Sequence, residues 1–364
     1  MKKRVLLLIE NLGSGGAERQ LCGLAIMLKR NGYQVKVVTY LKTDFSQFYE
    51  PLLKNAGVDY ELHPELLPTV TRVFKFVVIA KAFNPDVVIS FLPSPSMTAC
   101  LAKVFCHYKL IVGERNTNLS LQKYDKLRFN MFRIADAIVP NSFSQGEFIC
   151  KHYPSLSSKV HPIINFVDVE KFHPVENKKQ NELFNIVTVA RFTTQKNYLN
   201  YAEGIAIAKK NGYKFHCDWF GNKYHKEYFE SIQKRIIDLG IEDYVTIHNP
   251  SSNIVEEYHK ADALCLPSIY EGYPNVLCEA MSCALPVICS NVVEMPRIVK
   301  ENVNGYLFDP SSPELIANAI IRLLDTSVKD RKNMGINNRK RILENNTEVI
   351  FVNKYIELIN ILLK

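Results

Sequence analysis

The chain has 364 residues, of which 47% are hydrophobic and 23% charged. That is ordinary for a soluble globular protein, long enough for about two domains and for a buried core that needs no disulfide staples. The formal net charge is +8 at pH 7, and the positive excess lies ahead of residue 166, the remainder being close to neutral. A basic front half predicts an anionic partner: phosphorylated lipid, an anionic membrane or nucleic acid.

In chain order, the opening MKKRVLLLIENLG is basic, but its apolar run covers only 5–9 and ends at Glu10. It is too short for a secretory signal, and no later window reaches bilayer-spanning length. The expected location is therefore the cytoplasm, or the cytoplasmic face of the inner membrane as a peripheral protein. Apolar, β-rich runs follow at 4–10, 34–40, 86–92, 109–115 and 137–142, with helical stretches such as AERQLCGLAIMLKRNG (17–32) between them. Short runs without polar alternation are what parallel strands buried on both faces look like. Residues 1–168 thus read as a doubly wound α/β domain.

The stretch NFVDVEKFHPVENKKQNE (165–182) is polar and reads as a linker. The same grammar then restarts. Strand candidates lie at 185–191, 214–221, 245–250, 263–268 and 286–291, and helices at 199–212 and 226–240, giving a second domain at 180–347. An amphipathic helix, EVIFVNKYIELINILL (348–363), closes the chain. Two such domains are expected to leave a cleft at their strand ends, where ligands of open α/β sheets bind. Nine cysteines are present, with no CxxC pair, and the cluster Cys278, Cys283 and Cys289 has no histidine in ligand register. They read as buried reduced thiols, and no metal site is predicted.

Three constellations point to chemistry. IENLGSGGAERQ (9–20) places Gly13, Gly15 and Gly16 between the first strand and first helix, where backbone N–H groups can approach a phosphate. It is not a dinucleotide fingerprint, because Glu18 stands where the third glycine is needed and no acid follows the second strand at Tyr40. In VARFTTQKN (189–197), Arg191 ends a strand and Lys196 opens the next helix. The two cations either straddle a diphosphate or form a solvated basic pair. EGYPNVLCEAM (271–281) sets Glu271 in a turn after a buried strand and Glu279 one turn into the following helix. The first turn of that helix, from Asn275 to Leu277, offers unpaired N–H groups to an anion. Acceptors for one sugar, donors for a phosphate and acceptors for a second sugar fit a nucleotide-sugar.

Together these residues resemble the retaining glycosyltransferases of family 4, which have the GT-B fold: α/β, two facing Rossmann-like doubly wound domains with an inter-domain cleft. The most specific element is the E-x7-E pair inside PSIYEGYPNVLCEAMSCALPVICS, and INFVDVEKFHP (164–174) looks like the family's inter-domain segment. The resemblance implies a front acceptor domain, a rear donor domain and a final helix that packs back on the first. It implies that Glu271 contacts the donor sugar and Glu279 the ribose. Arg191 and Lys196 would stabilise the departing diphosphate, with Gly15, Gly16, Gly272, Asn275, Val276 and Leu277 completing the donor site. One departure is in the front domain, where several relatives carry a histidine and this chain has GERNTN (113–118). Glu114 either faces the reacting carbon or pairs with Arg115. A similar stretch occurs in relatives that act on lipid-linked or surface oligosaccharides.

The expected reaction moves a hexose or N-acetylhexosamine from a nucleotide-diphosphate sugar, UDP favoured, to a glycan or polyprenyl-diphosphate-linked acceptor with retention. No D-x-D triplet occurs, the nearest match being Asp168-Val169-Glu170, so no metal ion or other cofactor is expected. An anionic membrane surface is a further expected partner. TRVFKFVVIAKAF (71–83), with Arg72, Lys75 and Lys81, and later Lys123, Lys126, Arg128 and Arg133, form either a lipid-facing patch or a core-facing helix with a wet charged side. Nucleic acid is not expected, since no recognition module is present. The rival readings are a nucleotide-sugar epimerase of the same shape and a non-catalytic partner subunit.

Overall fold

The structure, a computed structural model, describes residues 2–41, 48–62, 68–176 and 181–364. Its internal contacts divide the chain into two units, Met1–Phe166 with Glu348–Lys364, and Val167–Thr347.

The first unit is built on six strands: β1 (Arg4–Ile9), β2 (Gln34–Thr39), β3 (Asp59–Leu62), β4 (Val87–Phe91), β5 (Lys109–Glu114) and β6 (Ala137–Pro140). They pair in the order β3-β2-β1-β4-β5-β6, every neighbour parallel. Parallel neighbours need crossovers, supplied by α1 (Gly16–Arg30), α2 (Glu50–Asn55), α3 (Thr69–Phe83), α4 (Pro93–Ala102), α5 (Lys123–Met131) and α6 (Phe143–His152). Helix α1 carries Glu18 in its first turn and Lys29 and Arg30 in its last, each sign matched to the helix dipole. It stops at Gly32, which takes the left-handed backbone at φ +85°.

One face of this sheet packs on α1, α2 and the C-terminal helix Glu348–Leu362, the other on α3, α4, α5 and α6. The C-terminal helix inserts Phe351, Val352, Tyr355, Leu358 and Ile359 into the first core. That spacing of one, four, seven and eight residues forms a single helical stripe.

The second unit repeats the plan with β7 (Phe184–Val189), β8 (Phe215–Phe220), β9 (Val245–His248), β10 (Ala263–Leu266), β11 (Val287–Ser290) and β12 (Gly305–Phe308). Their order is β12-β11-β10-β7-β8-β9, all parallel. The helices are α7 (Tyr198–Lys210), α8 (Lys226–Asp238), α9 (Ile254–Lys260), α10 (Asn275–Ser282), α11 (Met295–Ile298), α12 (Pro313–Asp325) and α13 (Val328–Asn345).

The apolar runs did not disclose β3 and β12. Both are four-residue edge strands, and β3 reads DYEL, with no fully buried residue. An edge strand has one neighbour and needs little apolar character, which accounts for the weak pattern of β3, whereas β12 reads GYLF and is largely buried, its apolar run being only three residues long.

Candidate functional site

In the second unit, β10 ends at Leu266 and the chain turns through residues 267–274 into α10. Glu271 lies in that turn and is 8% exposed. Its Oε1 accepts from Ser268 Oγ at 2.7 Å and from Lys196 Nζ, the latter an ion pair between two largely buried side chains. Among the described residues no partner takes Oε2. Lys196 sits in a short 3-10 turn, Thr194–Lys196, which is stitched to the Glu271 turn at two points. The Gln195 side chain donates to the Tyr270 carbonyl at 2.9 Å, and Ile269 N–H donates to the Gln195 carbonyl at 2.8 Å. The acid and the base expected to act on one ligand are therefore adjacent.

Helix α10 starts at Asn275, so the amides of Asn275, Val276 and Leu277 belong to its first turn, where no intrahelical acceptor exists. Gly272 lies just ahead, half-buried. Glu279 is buried, and Tyr258 of α9 donates its hydroxyl to Glu279 Oε2 at 3.2 Å. Tyr273, between the two acids, is tied to Asn346: its hydroxyl lies 2.8 Å from the Asn346 amide nitrogen, which donates to it. This fixes the turn that carries Glu271 and Gly272.

Arg191 follows β7 and is exposed. Its guanidinium lies 5.4 Å from the centroid of the Tyr224 ring, a cation–π contact. The loop bearing Tyr224 is held close because Gly221 has no side chain: a Cβ there would lie 1.9 Å from the Ala190 carbonyl oxygen. Phe192 N–H also donates to the Asn222 carbonyl at 3.0 Å. Among the described residues no carboxylate or other acceptor takes the Arg191 N–H groups. Its donors remain available to an anion, whereas Lys196 is already paired.

The first unit holds the remaining expected residues. Gly15 is the N-cap of α1, and both Gly15 and Gly16 are exposed. A Cβ on Gly15 would lie 2.1 Å from Glu18 Oε2, so the Glu18 carboxylate folds back over the position at which a phosphate was expected. That is the habit of an acid at the third helical position.

Glu114 corrects its expectation on both counts. It is 0% exposed and faces the interior, presenting no atom to a ligand. Its ion-pair partner is Arg128 of α5, with Arg128 Nη1 3.2 Å from Glu114 Oε2, and not Arg115. Successive strand residues point to opposite faces, and Arg115 instead donates to Asn165 Oδ1 at 3.1 Å and to the Tyr355 hydroxyl at 2.7 Å. Burial pushes the Glu114 carboxyl up to about 7, against the pull of Arg128. Arg128 also holds Asp125 at 2.9 Å and Asn118 Oδ1 at 3.1 Å, and Gln145 makes two bonds to Asn118. The loop after β5 is thus pinned from α5 and α6.

Ser268, Tyr258 and Tyr224 were not singled out in the sequence. Ser268 had a local signal, since it stands three residues before Glu271 in a turn. Tyr258 and Tyr224 arrive by tertiary packing and had none.

The chain matches the Glycosyltransferase Family 4 profile over residues 14–171 and the Glycosyl transferases group 1 profile over residues 168–341. The amylovoran biosynthesis glycosyltransferase AmsD of Erwinia amylovora is 26% identical over 346 residues, covering 91% of this chain and 93% of its own length. A Campylobacter jejuni α-1,4-N-acetyl-D-galactosaminyltransferase, named for a PP-undecaprenol-linked glycan, is 26% identical over 314 residues, or 84% of each chain. The crystal structure of a Rickettsia africae glycosyltransferase superposes with a TM-score of 0.87 at 20% identity, over 100% of this chain and 99% of that one. Anabaena HepE, solved with UDP, gives 0.86 at 18% identity, over 99% of this chain and 100% of its own. With the two profiles running from residue 14 to residue 341 and both units carrying the matching six-stranded parallel sheet, the chain belongs to the glycosyltransferases of family 4, enzymes with the two Rossmann-like domains of the GT-B fold.

Proposed function

We propose that this glycosyltransferase moves a hexose or N-acetylhexosamine from a UDP-linked donor to a glycan or polyprenyl-diphosphate-linked acceptor, with retention and without a metal ion. The observation that carries the reading is the cluster at the carboxyl end of β10. Lys196, Ser268 and Glu271 meet there, and the first turn of α10 leads from it to Glu279. In this reading Glu271 takes the donor sugar's hydroxyls on Oε2, and Glu279, oriented by Tyr258, takes the ribose. Arg191, Lys196 and the amides of Asn275, Val276 and Leu277 take the diphosphate. In the first unit, Gly15 and Gly16 would offer N–H groups to a phosphate once Glu18 swings aside.

Negative charge grows on the diphosphate as the glycosidic bond stretches, so these fixed donors favour the transition state over the ground state. They supply the charge that a metal would otherwise supply. The UDP preference leans on relatives: HepE is solved with UDP, and an Escherichia coli relative is named for UDP-Gal and an undecaprenol acceptor.

The test is transfer from UDP-glucose, UDP-galactose and their N-acetyl forms in excess EDTA. Turnover is expected to persist, and the anomeric proton coupling of the product is expected to match that of the donor. Loss of turnover that magnesium restores, or an inverted product, would overturn the metal-free retaining mechanism.

A peripheral membrane role is part of the proposal. Among the described residues no helix is long and apolar enough to cross a membrane. Helix α3 nevertheless exposes Val70, Phe74 and Val78 at 82%, 68% and 53% while burying Phe76, Ile79, Ala80 and Phe83. The exposed three are spaced by four, so they share one outer face. Lys75 and Lys81 are exposed on the same helix, and Lys123, Lys126 and Arg133 further along the chain. Two basic residues leave the expected patch. Arg72 stacks on Tyr40 and donates to Ser94 and Thr69, and Arg128 is buried against Glu114.

Sedimentation with vesicles containing anionic lipid is expected to pull down the protein, more weakly at high salt. A Val70→Ser, Phe74→Ser, Val78→Ser variant should stay in the supernatant. Equal recovery of both proteins would remove α3 from the membrane surface.

A further inference from the structure

Glu271 is buried, and both of its recorded partners act on the same oxygen, Oε1: the Lys196 ammonium and the Ser268 hydroxyl at 2.7 Å. Ser268 is itself 0% exposed. This arrangement sets a conflict within the donor-site reading, on which the inference rests. Lys196 is needed by the diphosphate, and a buried carboxylate left with no partner is strongly destabilised.

We propose that Ser268 is a positioning residue for the donor site. It keeps Glu271 engaged through Oε1 while Lys196 exchanges the carboxylate for the donor diphosphate, and it leaves Oε2 directed to the sugar hydroxyls. Arg191, held by Tyr224 and unpaired with any acid among the described residues, meets the diphosphate without such an exchange. The Lys196–Glu271 ion pair is accordingly the ligand-free state of the site. The diphosphate and the sugar then divide its two members between them.

The exchange gives two substitutions opposite signs. Ser268→Ala leaves Glu271 without a partner whenever Lys196 departs, so a bare nucleoside diphosphate should bind about tenfold more weakly, the scale of a hydrogen bond to a charged group. A nucleotide-sugar should lose less, because its hydroxyls re-engage the carboxylate. Glu271→Gln removes the competing charge, so the same nucleoside diphosphate should bind more tightly even though sugar transfer is impaired. In the Glu271→Gln background, Ser268→Ala should have little further effect, since no charge remains to be held.

The experiment is titration calorimetry of UDP and of GDP on the wild type, the two single variants and the double variant. The expected result is weaker binding by Ser268→Ala, tighter binding by Glu271→Gln, and a double variant close to Glu271→Gln. Equal losses from Ser268→Ala in both backgrounds would show a merely structural serine and overturn the inference while leaving the donor site intact. Should Ser268→Ala fail to fold, the sign of the Glu271→Gln change decides, and unchanged or weaker binding overturns the inference. Failure of both nucleotides to bind the wild type would overturn the donor-site reading and the inference with it.

Discussion

Lys196→Ala is expected to lower turnover by roughly 100-fold or more, the usual effect of removing one fixed donor from a developing oxyanion, while the protein stays folded. Lys196 lies in the Thr194–Lys196 turn, and in the proposed donor site the diphosphate charge it would meet is largest at the transition state. The loss should therefore fall mainly on kcat, with a smaller change in KM. Folding should survive because Ser268 still donates to Glu271 at 2.7 Å and the turn is held independently through Gln195. Lys196→Arg should not restore full activity, since a planar fork that pairs bidentately with Glu271 does not replace a compact ammonium that must release that carboxylate to meet the diphosphate. Turnover paired with a thermal melt checks this. Activity near the wild-type level in Lys196→Ala would remove Lys196 from the mechanism, and a collapsed melt would make it a structural residue.

The parts of this molecule that show in the sequence are those made by local pattern. The central strands β1 and β4 are short buried runs: no polar residue interrupts VLLLI in β1, and VVISF in β4 is buried throughout with Ser90 its one polar residue. The E-x7-E spacing puts one acid in a turn and the other inside α10 because a strand, a turn and a helix follow one another there without a gap. Long-range packing leaves no such trace. Tyr258 reaches Glu279 across 21 residues of sequence, and nothing in YHKADALCLPS marks it as that acid's partner. Charge misled for the same reason. Arg72 and Arg128 count toward a basic front half, yet both turn inward, one onto Tyr40 and Ser94 and the other onto Glu114 and Asp125. Composition records how many cations a segment holds, while burial decides which of them an anionic partner meets.

The buried Glu114–Arg128 pair should make stability depend on pH with an unusual sign. Unfolded, Glu114 titrates near its ordinary 4.5, whereas burial in the folded state pushes it up to about 7. Between those values the folded protein binds more protons at this site than the unfolded chain does, so stability falls as pH rises from about 4.5 to about 7 and levels off above. The full effect is on the order of 3 kcal/mol. Glu114→Gln keeps the shape and removes the titration. Urea midpoints of the wild type and variant should therefore diverge with rising pH in favour of the variant, which should be at least as stable at pH 8. Arg128 would retain Asp125 and Asn118 in that variant. Arg128→Ala is the opposite case. It strands the Glu114 carboxyl and loosens Asp125 and the Asn118 loop, and breaking a buried pair from one side costs about 3–5 kcal/mol. That penalty should shrink as pH falls below 7, because a protonated Glu114 no longer needs the cation. A wild-type-to-Glu114→Gln difference that stays constant from pH 5 to pH 8 would mean that Glu114 is ionised in the fold throughout, with Arg128 outweighing its burial.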